Sequence, residues 1–239
     1  LFTGRYFFPV LRNTLIISIG KLLFGFPAPI ILCLLLNEVR SLKFKKLVQT
    51  ISYLPHFISW VVLASIVQTI LSPSSGVVNY IIQLLGGEPI FFMGSSDWFR
   101  KVIVGSSIWR DTGWQTVVFM AAILSIDPQL YEAADLDGAG RFQKMIYVTL
   151  PCIAPTIIIM FIMATGNVIQ DDFDQIYNML NAKVMDVGDV IGTYTYRMGI
   201  EKMNFSYATA VGLFKNVVSL ILVTFTNAFS RKLSGSSLW

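Results

Sequence analysis

Five apolar runs, at roughly residues 14–36, 48–71, 102–124, 150–170 and 207–229, are each long enough to cross a bilayer as a helix. A hydrocarbon core of about 30 Å takes about 20 helical residues. Lipid offers no partner to backbone N–H and C=O groups, which leaves helices or closed barrels, and these runs are too long for barrel strands. Pro27, Pro29, Pro55 and Pro155 interrupt the ladder locally, which spans tolerate where neighbours re-satisfy the backbone. Only 13% of the residues are charged, against about 25% in soluble domains. An all-α polytopic membrane protein follows.

Several classes drop out early. Cys33 and Cys152 both fall in apolar spans and read as small buried hydrophobes, with no disulfide framework or zinc spacing. His56 is the only histidine, so no histidine-based metal site or triad is expected. The net charge of +4 comes without a Lys/Arg run, which speaks against nucleic acid. No signal peptide is visible, and Leu1 in place of Met suggests a fragment that lacks an N-terminal segment.

Five spans put the two ends of the chain on opposite sides. The loop 37–46 carries Arg40, Lys43, Lys45 and Lys46, the loop 125–149 carries Arg141 and Lys144, and the tail carries Arg231 and Lys232. Short basic loops stay in the cytoplasm, which places these three segments there. On the other side, residues 77–85 and 190–205 read as short interfacial helices, the latter with Tyr194, Tyr196, Met198 and Phe205 at headgroup level.

The loop 125–149 is a polar stretch between two apolar spans. Asp127-Pro128 is a helix start, with Asp at the N-cap and Pro where its missing N–H costs nothing. Leu130, Ala133 and Ala134 share one face, Asp137-Gly138 and Gly140 interrupt the helix, and Phe142, Met145 and Ile146 begin a second amphipathic stretch. By periodicity alone, a loop lying on the headgroups fits as well as a docking element.

Glu132-Ala133-Ala134, Gly138, Val148 and Leu150-Pro151 decide between these. They resemble the "EAA" signature of permease subunits of binding-protein-dependent (type I) ABC importers, departing only in Val148 for Ile. Asn13-Thr14-Leu15, residues 53–60, residues 173–177 and residues 207–212 are similar to its oligosaccharide and polysaccharide branch. The resemblance implies a single transmembrane domain over residues 1–239, with five helices of a six-helix family core and the first lying upstream of Leu1. It implies that 127–148 is a cytoplasmic coupling loop between the third and fourth spans. Glu132, Ala133, Ala134, Asp137, Gly138 and Arg141 would dock an ATP-binding subunit. The implied partners are a second homologous permease, an ATPase dimer, an extracytoplasmic solute-binding protein and membrane lipid, in a prokaryotic plasma membrane. The chain itself would be non-catalytic and hold no cofactor or metal. ATP and Mg would bind the separate ATPase, consistent with the lack of a Gly-x-x-x-x-Gly-Lys-Ser/Thr loop here.

Arg110 and Asp111 lie about 14 Å into the span that starts near Val102, close to the midplane. Each costs roughly 2.5–3.5 kcal/mol there, and as sequence neighbours they cannot fully satisfy each other. Trp109, Arg110 and Asp111 either line a sugar pathway or form a structural ion pair. Lys215, at similar depth, is the expected partner of Asp111, while Lys21 is expected to reach outward. Asn167 joins this pathway set. With Gln170, Asp171, Asp172 and Asp174 it also crowds the end of the fourth span, as a solvated loop or a docking surface for the binding protein.

Other functions fit less well. Asp137-Gly138 with Arg141 is faintly similar to the start of the CDP-alcohol phosphatidyltransferase motif, but no further aspartate follows before Asp171. A secondary transporter would explain the buried charges without explaining the Glu132 loop. An ABC permease for amino acids or anions is the nearer rival.

Overall fold

The computed structural model describes residues 6–234 and 237–238, and is helical with no strand among the described residues. Residues 1–5, where the outer segment was expected to begin, lie outside them. The helices are α1 (Phe7–Glu38), α2 (Leu42–Phe57), α3 (Trp60–Ile70), α4 (Val77–Leu84), α5 (Ser96–Leu124), α6 (Pro128–Leu136), α7 (Arg141–Gly166), α8 (Phe173–Met179), α9 (Ile191–Tyr196) and α10 (Phe205–Ser234).

By length and composition α1, α7 and α10 can each cross a membrane, while α5 with α6, and α2 with α3, qualify only as bent pairs. Five spans are therefore available, with two corrections. The run 48–71 is not one rod: α2 begins at Leu42, and the chain turns by 108° between Phe57 and Trp60. Leu54–Phe57 tightens to a 3₁₀ turn around Pro55, and the Ser59 side chain accepts from the Val62 N–H to start α3. The second amphipathic stretch of the polar loop is also no separate helix. It forms the first turns of α7, which runs on unbroken from Arg141.

Two π turns, Lys21–Gly25 in α1 and Met145–Thr149 in α7, have the same cause. Pro27 and Pro151 cannot donate to the carbonyls four residues back, Leu23 and Tyr147, and their rings push those carbonyls aside. A single wide turn re-registers the ladder without breaking the rod.

α5 is the central post. At the α6 end, Phe119, Met120 and Ile123 pack with Cys33, Leu36 and Ile153. At the far end, Phe99 and Ile103 pack with Ile17, Trp60, Leu63 and Ile176. In the middle, α2 comes close enough that a Cβ on Gly113 would run into the Ser52 carbonyl. Opposite, Leu213, Val217, Leu220, Ile221 and Phe225 of α10 are exposed, as lipid-facing side chains are. Cys33 is buried as expected, but Cys152 is exposed.

Candidate functional site

A cavity of about 240 Å³ opens between α1, α5, the end of α7 and α8. Ser18 and Lys21 reach it from α1, Ser107, Asp111 and Gln115 from α5, and Asn167, Asp171 and Asp172 from the segment after α7. Of the expected pathway residues, Asp111 and Asn167 line it, while Trp109, Arg110 and Lys215 do not.

The ion pairs differ from expectation. Lys215 Nζ meets Asp171 Oδ1 at 2.8 Å, not Asp111. The depth of Lys215 suggested Asp111, but α10 crosses the end of α7, so Asp171 is the carboxylate in reach. Asp171 also accepts from the Gly192 N–H, and its side chain is 3% exposed. Asp171 is thus a buried, paired carboxylate, while Asn167, Gln170, Asp172 and Asp174 around it are exposed. Lys21, expected to reach outward, turns to the segment just beyond α7. Its ammonium donates to Asp172 and to Gln175 Oε1, each at 2.5 Å. Gln175, fully buried, donates on to the Ile103 carbonyl and to Ser106 Oγ, tying α8 to α5. The two adjacent aspartates thus clamp α1 and α10 to the end of α7.

Asp111 is held by His56, with Nδ1 and Oδ1 3.0 Å apart, and more loosely by Arg110 at 3.4 Å. The turn that breaks α2 from α3 delivers His56 there. Its ring lies parallel to Trp114, centroids 4.9 Å apart. The Arg110 guanidinium stands 4.7 Å over Trp60, and its Nε is buried without a partner. Neither His56 nor Lys21–Asp172 was anticipated. The signals were present: the one histidine beside a proline inside an apolar run, and paired aspartates directly after a span.

The second region is the polar loop. Asp127 caps α6 through Oδ1 and the Gln129 N–H (2.9 Å). At the other end Ala139 N–H reaches the Ala134 carbonyl (2.9 Å) and Gly138 N–H the Asp135 carbonyl (3.1 Å). This is a Schellman closure, whose left-handed residue is Gly138 at φ 77°. The face expected to carry Leu130, Ala133 and Ala134 together is divided. Ala134 is half-buried with Tyr131, which bonds Thr149 at 2.9 Å, while Leu130 and Ala133 are exposed. Glu132, Asp137, Gly138 and Arg141 are exposed as well, and Leu136 is 91% exposed. Lys144 pairs with Asp135 at 2.6 Å and steadies α6 against α7. Among the described residues, no group of three or more His, Cys, Asp or Glu could hold a metal.

A bundle of membrane-crossing helices with a polar cavity at its centre, and a short helix projecting from one end over a glycine bend, defines a transport permease. The chain belongs to the family of binding-protein-dependent transport system inner membrane components, matched over residues 25–235. This is the family indicated by Glu132-Ala133-Ala134, Gly138 and Leu150-Pro151, and it makes the chain a permease subunit of an ABC importer. It is 47% identical to protein LplB of Bacillus subtilis (strain 168), over 100% of this chain and 75% of that protein. It is 44% identical to the polygalacturonan/rhamnogalacturonan transport system permease protein YteP of the same organism, over 100% of this chain and 74% of that one. Among solved structures, a chain of the bacterial alginate ABC transporter in complex with alginate pentasaccharide-bound periplasmic protein matches with a TM-score of 0.95 at 43% identity. That match covers 100% of this chain and 83% of the other.

Proposed function

We propose that this chain carries an oligosaccharide, handed over by an extracytoplasmic binding protein, across a prokaryotic plasma membrane under the drive of a separate ATPase dimer. The observation that carries the reading is α6. It projects from the bundle with Glu132, Ala133 and Leu136 exposed on one face, and its closure at Gly138 fixes that face rigidly. A short helix so presented is a knob that needs a socket, and a groove of the ATPase is the socket, with Glu132 as polar anchor and Ala133 allowing close approach. ATP and Mg stay with that ATPase.

Sidedness rests on charge. Arg40, Arg141 and Lys144 surround one cleft beside Tyr131, so the basic loop 37–46 and α6 share an end. The positive-inside bias assigns that end to the cytoplasm, and α10 runs toward it, taking the C-terminus there too.

A second, homologous permease subunit is the natural cover for the mid-depth charges. The side chains of His56 and Arg110, outside the cavity lining, are 28 and 22% exposed, and a charge such as that of Arg110 facing lipid at that depth would cost roughly 2.5–3.5 kcal/mol. The carbohydrate cargo is supported by the transport named for YteP and for the alginate transporter. Asp111 and Asn167, in the cavity wall, belong to its pathway. Lys215 and Arg110 stand behind that wall as supports, and Trp109 lies outside it.

The test is uptake by cells lacking this gene and complemented with it, fed a mixed enzymatic digest of plant polysaccharides and read by mass spectrometry of cell extracts. Wild type restores uptake of at least one oligosaccharide. Glu132→Lys abolishes it, loses the co-purifying ATPase and leaves membrane abundance unchanged. Full uptake with Glu132→Lys, or uptake that survives ATP depletion, would sink the proposal.

A further inference from the structure

The cavity divides its polar lining into two sets. Every charged group in it is already engaged within this chain: Lys21 with Asp172, Asp171 with Lys215, Asp111 with His56 and Arg110. Four neutral lining side chains are not. Ser18, Ser107, Gln115 and Asn167 make no side-chain hydrogen bond among the described residues. For the buried Ser18 and Ser107 this runs against local habit, because serine and threonine inside helices commonly bond back to a carbonyl one turn earlier, while Gln115 and Asn167 are exposed beside them. Ser106 and Thr112, beside them on α5, do so.

We infer that the cargo is held by Ser18, Ser107, Gln115 and Asn167 through its hydroxyl groups, and that the cavity's charged residues position the wall without reading the cargo. This rests on the carbohydrate reading above.

The physical reasons concern exchange. An unengaged hydroxyl or amide in the cavity is satisfied by water. A sugar hydroxyl, both donor and acceptor, can take the place of that water with little loss. An engaged ion pair cannot do the same. To meet a cargo carboxylate, Lys21 would have to release Asp172 and Gln175, leaving a carboxylate in the wall without its counter-charge. A carboxylate entering the cavity finds no unengaged counter-charge, because each lining cation and carboxylate is already paired: Lys21 with Asp172, Asp171 with Lys215 and Asp111 with Arg110. The cavity therefore recognises the hydroxyl-bearing edges common to neutral and uronic sugars. The choice between those classes lies elsewhere in the transporter.

The experiment uses the whole transporter in proteoliposomes with saturating loaded binding protein, and reads sugar accumulated per ATP hydrolysed. That ratio is insensitive to how much transporter is active. The probes are the neutral and uronic oligosaccharides that wild type takes from the digest. Gln115→Leu with Asn167→Leu is expected to lower the ratio about fivefold or more, to the same extent for both classes. Lys21→Gln with Asp172→Asn removes the charges but keeps hydrogen-bonding groups. It is expected to stay within about twofold of wild type on every cargo carried. An unchanged ratio in the first variant, or a selective loss of uronic cargo in the second, overturns the inference. A wild-type transporter that takes up no oligosaccharide overturns the carbohydrate reading instead.

Discussion

Lys215 of α10 and Asp171, just beyond α7, form an ion pair of 2.8 Å with side chains only 15% and 3% exposed. Removing one partner of a buried pair leaves the other uncompensated, at about 3–5 kcal/mol, whereas removing both is far milder. Lys215→Met is expected to lower the thermal midpoint of the purified permease in detergent markedly. Lys215→Met with Asp171→Asn recovers most of the loss. A double variant no better than the single one would show that the pair is not what holds α10.

Gly138 sits at φ 77° with open space where a Cβ would be. Within this chain, any effect of substitution there is conformational and not steric. A left-handed conformation costs an ordinary L-residue about 1–2 kcal/mol, more when β-branched, while asparagine accepts it readily. Gly138→Val is expected to uncouple ATP hydrolysis from uptake with normal membrane abundance, and Gly138→Asn to keep most of the uptake. Equal behaviour of the two would argue against a conformational role.

Gly113 and Gly105 lie on the same helix and should respond in opposite senses. A Cβ at Gly113 meets the Ser52 backbone of α2, which cannot swing aside, while a Cβ at Gly105 meets nothing within 4 Å. Gly113→Ala should destabilise by about 1–3 kcal/mol, as overpacking does. Gly105→Ala should be neutral or stabilise by up to about 1 kcal/mol through helix propensity. Thermal unfolding of the two variants side by side decides it.

His56 offers a finer probe. His56→Phe keeps the parallel contact with Trp114 but removes the partner 3.0 Å from Asp111. The loss of a hydrogen bond to a charged group costs about 1.5–3 kcal/mol. His56→Gln, which can still donate, should lose less. If His56→Phe and His56→Gln unfold at the same temperature, the Asp111 contact contributes nothing.

The apolar runs made the helical class and the position of each span legible, since lipid enforces a simple rule on length and polarity. Asp127, Pro128 and Gly138 marked both ends of α6 for the same reason: cap chemistry is local. What escaped was long-range pairing. Depth along a span says how far Lys215 lies from the surface, but not that α10 crosses the end of α7, where Asp171 waits. Periodicity also favoured one continuous helix over 48–71, because Pro55 is tolerated in spans. Nothing local states that the break turns the chain by 108° and hands His56 to Asp111. The division of the α6 face, with Ala134 turned toward α7 and Ala133 away, depended likewise on a neighbour that the spacing of apolar residues does not identify.

The run from α5 into α6 has a mechanical meaning. α5 is an unbroken rod of 29 residues, about 43 Å at 1.5 Å per residue. Its last turn is locked by hydrogen bonds from Ser125 to Ala122 and from Ile126 to Ile123, and Asp127 then caps α6 directly. The joint is short, and the two helices meet at 70°. Near the middle of the rod, two residues beyond Asp111, Gly113 bears on Ser52. A stiff beam resting on a bearing near its centre moves its two ends in opposite directions. If the proposed docking delivers thrust at α6, the rod would tilt about this contact, and the stretch around Asp111 beside it would shift least.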